Sequence, residues 1–177
     1  MAKLMAVPDT NPAALRTPTD LKAADVKAIC ESLNRLVANG LLLYIKTKNF
    51  HWHMTGPHFR DYHILLDEQA DQILASIDPL AERVRKLGQP TVRSIAHISR
   101  LATLADNDEP FVSPFEMLCE LAEDNKKVAA AMRETHGLCD DAKDAASASL
   151  LEQYLDETEK RTWFLFEASR GADTSGH

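Results

Sequence analysis

The sequence predicts an all-α protein: a four-helix bundle with a short extra helix in the connection between the second and third long helices. Three observations carry this expectation. Apolar residues recur at three- and four-residue steps through long segments, the period of a helix with one buried face. Turn signals at Thr55-Gly56-Pro57, Gly88, Gly137 and Gly171 separate those segments. The second and third segments are joined by one long connection, which suits an up-down-down-up order. With 177 residues, 45% of them hydrophobic, the chain can bury the core of a single domain.

Residues 1–18 are rich in proline and polar residues and are expected to form a flexible N-terminal arm ahead of a bundle over 19–171. Residues 172–177 would be a short tail. The first long helix is expected over about 20–53, with Val26, Ile29, Leu33, Leu36, Val37, Leu41, Tyr44 and Ile45 in helical phase. Pro57 disfavours helix in the residue before it and ends that run. The second helix is expected over about 58–87, stopped by Gly88. Its stripe is Phe59, Tyr62, Leu66, Ala70, Ile73, Ile77, Leu80, Val84 and Leu87. Residues 91–102 suggest the short connecting helix, and the run from Ala105 to Pro114 a loop. Ser113-Pro114-Phe115-Glu116 has a capping serine, proline at the first helical position and glutamate at the third, so a helix starts there. That third long helix is expected to end near Thr135, and the fourth to run from about 146 to Arg170.

Net charge is −7 with a pI near 5.5, a sign that repels nucleic acid and attracts cations. No apolar run is long enough to span a membrane. The first twenty residues lack the continuous apolar stretch of a secretory signal, so a cytoplasmic location is expected. Cys30, Cys119 and Cys139 are odd in number and widely spaced, and read as small buried residues in a reducing compartment.

The most informative stretch lies in the second helix. His63 and Asp67 are four apart, as are Asp78 and Glu82, and four-residue spacing stacks two side chains on one helix face. Each pair is a two-ligand clamp. The clamps are separated by roughly 22 Å at 1.5 Å per residue, so one metal ion cannot reach both within a chain. Two copies of the helix, antiparallel about a two-fold axis, would set clamp against clamp and make two sites per dimer. His63, Asp67, Asp71, Asp78 and Glu82 share an arc of about 100°, with Leu74 between the clamps and near the expected axis. His51 lies six residues before Pro57 and His63 six after it, positions that come level in a helical hairpin. One subunit can thus offer His51, His63 and Asp67, and its partner Asp78 and Glu82. Two imidazoles and three carboxylates suit Fe(II), Mn(II) or Zn(II), and the lack of thiolate argues against a structural zinc site.

Taken singly, each residue has an ordinary reading. A lone histidine on a helix is more often surface or core than ligand, which stands for His53, His58, His97, His136 and His177. Asp78-Pro79 can be read as the cap and first position of a new helix. The apolar stripe keeps its phase through Ile77, Leu80 and Val84, which favours one kinked helix. Trp52 reads as packing at the helix end, or as a sink for stray oxidising equivalents beside a metal.

The segment His51-Trp52-His53-Met54-Thr55-Gly56, then His63 and Asp67, then Asp78-Pro79-Leu80-Ala81-Glu82-Arg83 and Leu87-Gly88 resembles the signature of the Dps-type miniferritins, within the ferritin-like superfamily. Tyr62 departs from the aliphatic residue usual before His63. The resemblance implies a hollow dodecamer of four-helix subunits with a ferroxidase centre at each two-fold interface. The ligands and catalytic residues would be His51, His63 and Asp67 from one subunit and Asp78 and Glu82 from the other. It implies oxidation of Fe(II), typically by hydrogen peroxide, storage of ferric mineral and protection from oxidative damage. Zn(II) or Mn(II) could substitute in the site. The chain has no Glu-x-x-His, the motif by which larger relatives hold iron inside one subunit.

Iron entry could be served by Asp140, Asp141 and Asp144, or by Asp156, Glu157 and Glu159, though a solvated acidic surface explains each group equally well. The alternative function is non-specific DNA binding and compaction, with nucleoid association. The arm carries only Lys3 and Arg16, with Lys22 near its base, and the tail has no Lys or Arg, so that expectation is the weaker.

Overall fold

The computed structural model describes residues 12–170, and every regular element within them is a helix. A single turn of 3-10 helix, Ala13–Leu15, precedes α1 (Ala23–His53), α2 (Phe59–Lys86), α3 (Ile95–Leu101), α4 (Pro114–Ala142) and α5 (Ala145–Ser169). Contacts across the bundle fix the directions. Cys30 lies against Val84 while His51 meets His63, so α1 and α2 run antiparallel. Ser32 bonds Thr135 and Lys46 bonds Asp124, so α4 runs with α2 and against α1. Asn125 accepts from Arg161 and His136 meets Glu152, which sets α5 against α4. The predicted up-down-down-up bundle is what forms, with α3 lying on α1.

The core is mostly aliphatic, with Leu33, Val37, Leu66, Leu80, Leu121, Leu165 and the aromatic Phe50 at 2% exposure or less. Burial of each such side chain is worth roughly 1.5–3 kcal/mol. Three charged contacts cross that core. Lys46 reaches Asp124 at 2.7 Å, Glu120 at 2.6 Å and the Ala105 carbonyl at 2.6 Å. Burial would lower its pKa, but the two carboxylates outweigh that and hold it above the usual lysine value. Arg161 donates to Asn125 and Thr158, and burial pushes its guanidinium down to about 10. Arg83 meets Asp144 at 2.6 Å and ties α2 to the start of α5.

Four sequence expectations change. Ile45 is 56% exposed and Phe59 45%, so each leaves its predicted stripe for the surface. The connecting helix is shorter than predicted because Ser94 caps it, accepting from the His97 N–H. The third long helix continues past Gly137 to Ala142. An isolated interior glycine costs only about 1 kcal/mol relative to alanine, and burial of Cys139 in the following turn draws the helix on. Its end is set by Lys143 in the left-handed region (φ 63°), and Asp144 then caps α5 by accepting from the Ser147 N–H. The expected continuity of α2 through Pro79 holds, so Asp78 is not a helix cap.

Of the predicted N-terminal arm, residues 12–18 lie within the described part. Thr17 donates to the Arg85 carbonyl and Arg85 to the Leu15 carbonyl, both at the end of α2. Gly88 ends that helix with φ +81°, and a Cβ there would come within 2.8 Å of the Thr17 nitrogen. The expected tail at 172–177 lies outside the described residues. Among the described residues, no helix is long and apolar enough to cross a membrane.

Candidate metal centre

Two helix ends build the site. The last two turns of α1 supply Lys48 and His51; the first turns of α2 supply His63 and Asp67. Between them the chain reverses through Gly56 at φ +94°, a conformation glycine adopts without penalty. The reversal brings the two histidines level, as the symmetric placement about Pro57 predicts. Their rings stack with centroids 3.7 Å apart and planes at 20°.

The backbone fixes their tautomers. His51 Nδ1 lies 2.8 Å from the His63 carbonyl oxygen, and His63 Nδ1 lies 2.9 Å from that of His51. A carbonyl only accepts, so each Nδ1 carries a hydrogen and donates it. In the neutral ring the lone pair is then on Nε2. This is the arrangement of metal-binding histidines, whose second nitrogen is held by a carbonyl or carboxylate. His51 is 7% exposed, and Phe59 stacks on His63 with centroids 5.0 Å apart. Neither ring is free to turn away.

His51 Nε2 is 3.8 Å from Asp67 Oδ1, so Asp67 faces the unprotonated edge of the pair. The same carboxylate oxygen accepts from Lys48 Nζ at 2.6 Å. That bond, with lesser help from the charges of Lys48, His51 and His63, holds the Asp67 carboxyl below the usual carboxylate range. Sequence reasoning missed Lys48. The signal was available: Lys48 lies nine residues before Pro57 and Asp67 ten after it, within one residue of the reflection that pairs the histidines.

Asp78 and Glu82 stand elsewhere on α2. Both are exposed, and Glu82 accepts from Lys86 at 3.1 Å. Leu74, between the clamps on the same arc, is 45% exposed, and Ile64 at its edge is 39% exposed. The α2 face therefore carries uncovered apolar side chains flanked by carboxylates. Among the described residues, no three His, Cys, Asp or Glu groups close into a metal-holding cluster within one chain. The structure brings together His51, His63 and Asp67, and leaves Asp78 and Glu82 as a separate pair.

The other sequence candidates divide. Asp144 is 4% exposed and committed to Arg83 and Ser147, so it lines no open acidic surface. Asp140 and Asp141 are exposed in the last turn of α4, with Asp140 Oδ2 3.2 Å from His136 Nδ1. Glu159 pairs with Arg133, and Asp156 is exposed. Trp52 is 62% exposed, which removes packing at the helix end as its role within the chain.

Comparison with known proteins places the fold in a family. The Ferritin-like domain family profile matches residues 30–168. The DNA protection during starvation protein 1 of Deinococcus radiodurans is 30% identical over 145 residues, covering 82% of this chain and 70% of that protein. The DNA protection during starvation protein of Brevibacillus brevis is 31% identical over 147 residues, 82% of this chain and 97% of its own. The X-ray structure of Dps from Thermosynechococcus elongatus superposes with a TM-score of 0.81 at 28% identity, over 85% of this chain and 95% of that one.

Proposed function

Because the chain belongs to the Dps-type miniferritins of the ferritin-like superfamily, we propose that it is a ferroxidase and iron store whose reaction centre forms between two subunits. The observation that carries this reading is the locked histidine pair. His51 and His63 spend their Nδ1 hydrogens on backbone carbonyls and keep Nε2 for a metal, with Asp67 3.8 Å from His51 Nε2. Fe(II) is the substrate. The partner's Asp78 and Glu82 complete the ligand set when two α2 helices pair antiparallel through Leu74 and Ile64.

In this reading each residue has a distinct task. The imidazoles hold Fe(II), for which nitrogen donors are well suited. The carboxylates of Asp67, Asp78 and Glu82 are hard anions that favour Fe(III) and so ease electron loss. Few protein ligands meet at each ion, which leaves positions for the oxidant. Two Fe(II) ions give one electron each to one hydrogen peroxide; its O–O bond breaks and two protons are taken up to give two waters. Lys48 leaves Asp67 as the metal arrives and keeps that carboxylate charged until then. Zn(II) or Mn(II) would occupy the same ligands without being the substrate.

The assembly proposed is a dodecamer that stores ferric mineral in its cavity, in the cytoplasm. Removing Fe(II) and peroxide together removes the source of hydroxyl radical, which accounts for protection of DNA without contact with it. DNA binding and compaction is the second reading; the names of the two relatives speak of DNA protection, which direct contact would be another way to give. A gel shift at low salt tests it, and free DNA at every protein concentration would end it.

The deciding experiment mixes iron-free protein with Fe(II) under anaerobic conditions, adds peroxide and follows ferric absorbance beside a His63→Ala, Asp78→Ala variant. Fast oxidation in the parent, lost in an assembled variant, supports the intersubunit centre. Equal rates in both would remove it.

A further inference from the structure

Away from α2, the groove between α1 and α3 has a charge opposite to that of the whole chain. Lys27 and Arg35 project from α1, and Arg93 and Arg100 from the connection that carries α3. None of the four pairs with a carboxylate among the described residues, and Glu31 is the one acidic residue on the wall. In a chain of net charge −7, four unpaired cations about one groove of about 640 Å³ are a local inversion of sign. That volume lies within the roughly 300–1,000 Å³ usual for small-molecule sites.

The groove is braced before any ligand arrives. At one end Asn34 donates to the Pro90 carbonyl at 3.1 Å and accepts from Thr91 at 2.9 Å. At the other, Asn39 accepts from the Thr103 N–H at 2.7 Å and donates to its hydroxyl at 2.9 Å. Both ends of the connection are thus tied to α1. Inside, His97 Nδ1 is buried and has no hydrogen-bond partner. Burial, then the charges of Arg93 and Arg100, push the His97 pKa down. A neutral ring carries its hydrogen on either nitrogen, and the form with it on Nδ1 is a donor. Buried polar atoms are almost always partnered, so the orphan leaves one ring nitrogen beside the gathered cations unsatisfied.

We propose that the α1–α3 groove is a binding site for the phosphate group of a small anion, held by Arg93 and Arg100 with Lys27 and Arg35 opposite and His97 at its base. Arginine's planar fork matches phosphate oxygens in pairs, and lysine adds a point charge. Phosphate fits better than a carboxylate because its roughly two negative charges and three oxygens answer more of the four cations than one charge and two oxygens do. This site is independent of the iron centre and involves none of its residues.

The test is calorimetric titration of the assembled, iron-free protein with inorganic phosphate and with adenosine monophosphate, beside an Arg93→Gln, Arg100→Gln variant of the same helix content and size. The expected result is saturable binding of both, one per chain, weakened at least tenfold in the variant. If that variant fails to fold, Lys27→Gln with Arg35→Gln on the exposed face of α1 carries the same expectation. No saturable binding, or equal binding in a folded variant, overturns the proposal. So does a short DNA duplex that binds through these arginines while both small phosphates do not, since the groove would then serve a nucleic acid.

Discussion

His51 and His63 each donate from Nδ1 to the other's backbone carbonyl, at 2.8 and 2.9 Å, while their rings stack 3.7 Å apart. The relationship is at once a joint between α1 and α2 and an orientation of two donor atoms. His51→Ala should therefore have two effects. It removes the side-chain bond to the part-buried His63 carbonyl and the packing of the buried His51 ring, and is expected to lower stability by roughly 2 kcal/mol, read from denaturant unfolding. It should also abolish peroxide-driven iron oxidation. A variant of unchanged stability would show that the reciprocal bonds contribute nothing to the hairpin.

Lys48 occupies the Asp67 carboxylate oxygen that the proposed metal would need, at 2.6 Å. Lys48→Gln removes the competing cation and keeps a hydrogen-bonding side chain. Ion pairs with one exposed partner are worth about 0.2–1 kcal/mol, so zinc should bind the assembled variant roughly two- to fivefold more tightly by calorimetry. Weaker binding in the variant would mean that Lys48 assists metal loading.

Gly88 is held at φ +81° with the Thr17 nitrogen and oxygen 2.8 and 2.9 Å from where a Cβ would stand. Backbone cannot yield as a side chain does. Gly88→Ala is expected to cost about 2 kcal/mol, combining the left-handed strain with loss of the Thr17 contact at the end of α2. Lys143→Gly is the converse case: Lys143 sits at φ 63°, and glycine there should raise stability by about 0.5–1 kcal/mol.

Asp144 caps α5 and neutralises Arg83 while almost fully buried. Asp144→Ala removes the cap and strands a guanidinium, so a loss of about 3 kcal/mol is expected. Asp141→Ala, on an exposed residue of the same turn, should change stability by less than about 0.5 kcal/mol, which separates the two aspartates in one denaturation series.

The thiols carry a pH signature. Burial pushes Cys30 up to about 12 and Cys139 up to about 11. Both folded values lie above the unfolded one, so the folded state keeps these protons longer as pH rises. Their contribution to stability is full below about pH 8.5 and is lost above it, by at most about 1.4 kcal/mol per pH unit per thiol. At pH 8 a thiol reagent should label half-buried Cys119 first and the other two only on unfolding. Fast labelling of all three would contradict their burial.

The sequence by itself determined the helices and the hairpin reflection. Helical period and helix signals are local, so the stripe through Pro79, the Ser113 capping box and the level placement of His51 and His63 could all be read from residue spacing. Failures came where a local signal competed with burial. Gly137 looked like a stop, yet α4 continues because the next turn buries Cys139. Ile45 and Phe59 kept helical phase but reached the surface, since phase does not say where a stripe ends.

Only the tertiary structure decided which charges are spent. Asp140, Asp141 and Asp144 look alike in sequence, and Arg83 alone distinguishes the buried one. Lys48 became part of the site because a second helix brought Asp67 to it. Likewise, the α1–α3 groove gathers cations from residues 27 to 100 that no local pattern joins. A side chain's partner depends on packing between distant segments, and packing is fixed by the whole core rather than by neighbours in the chain.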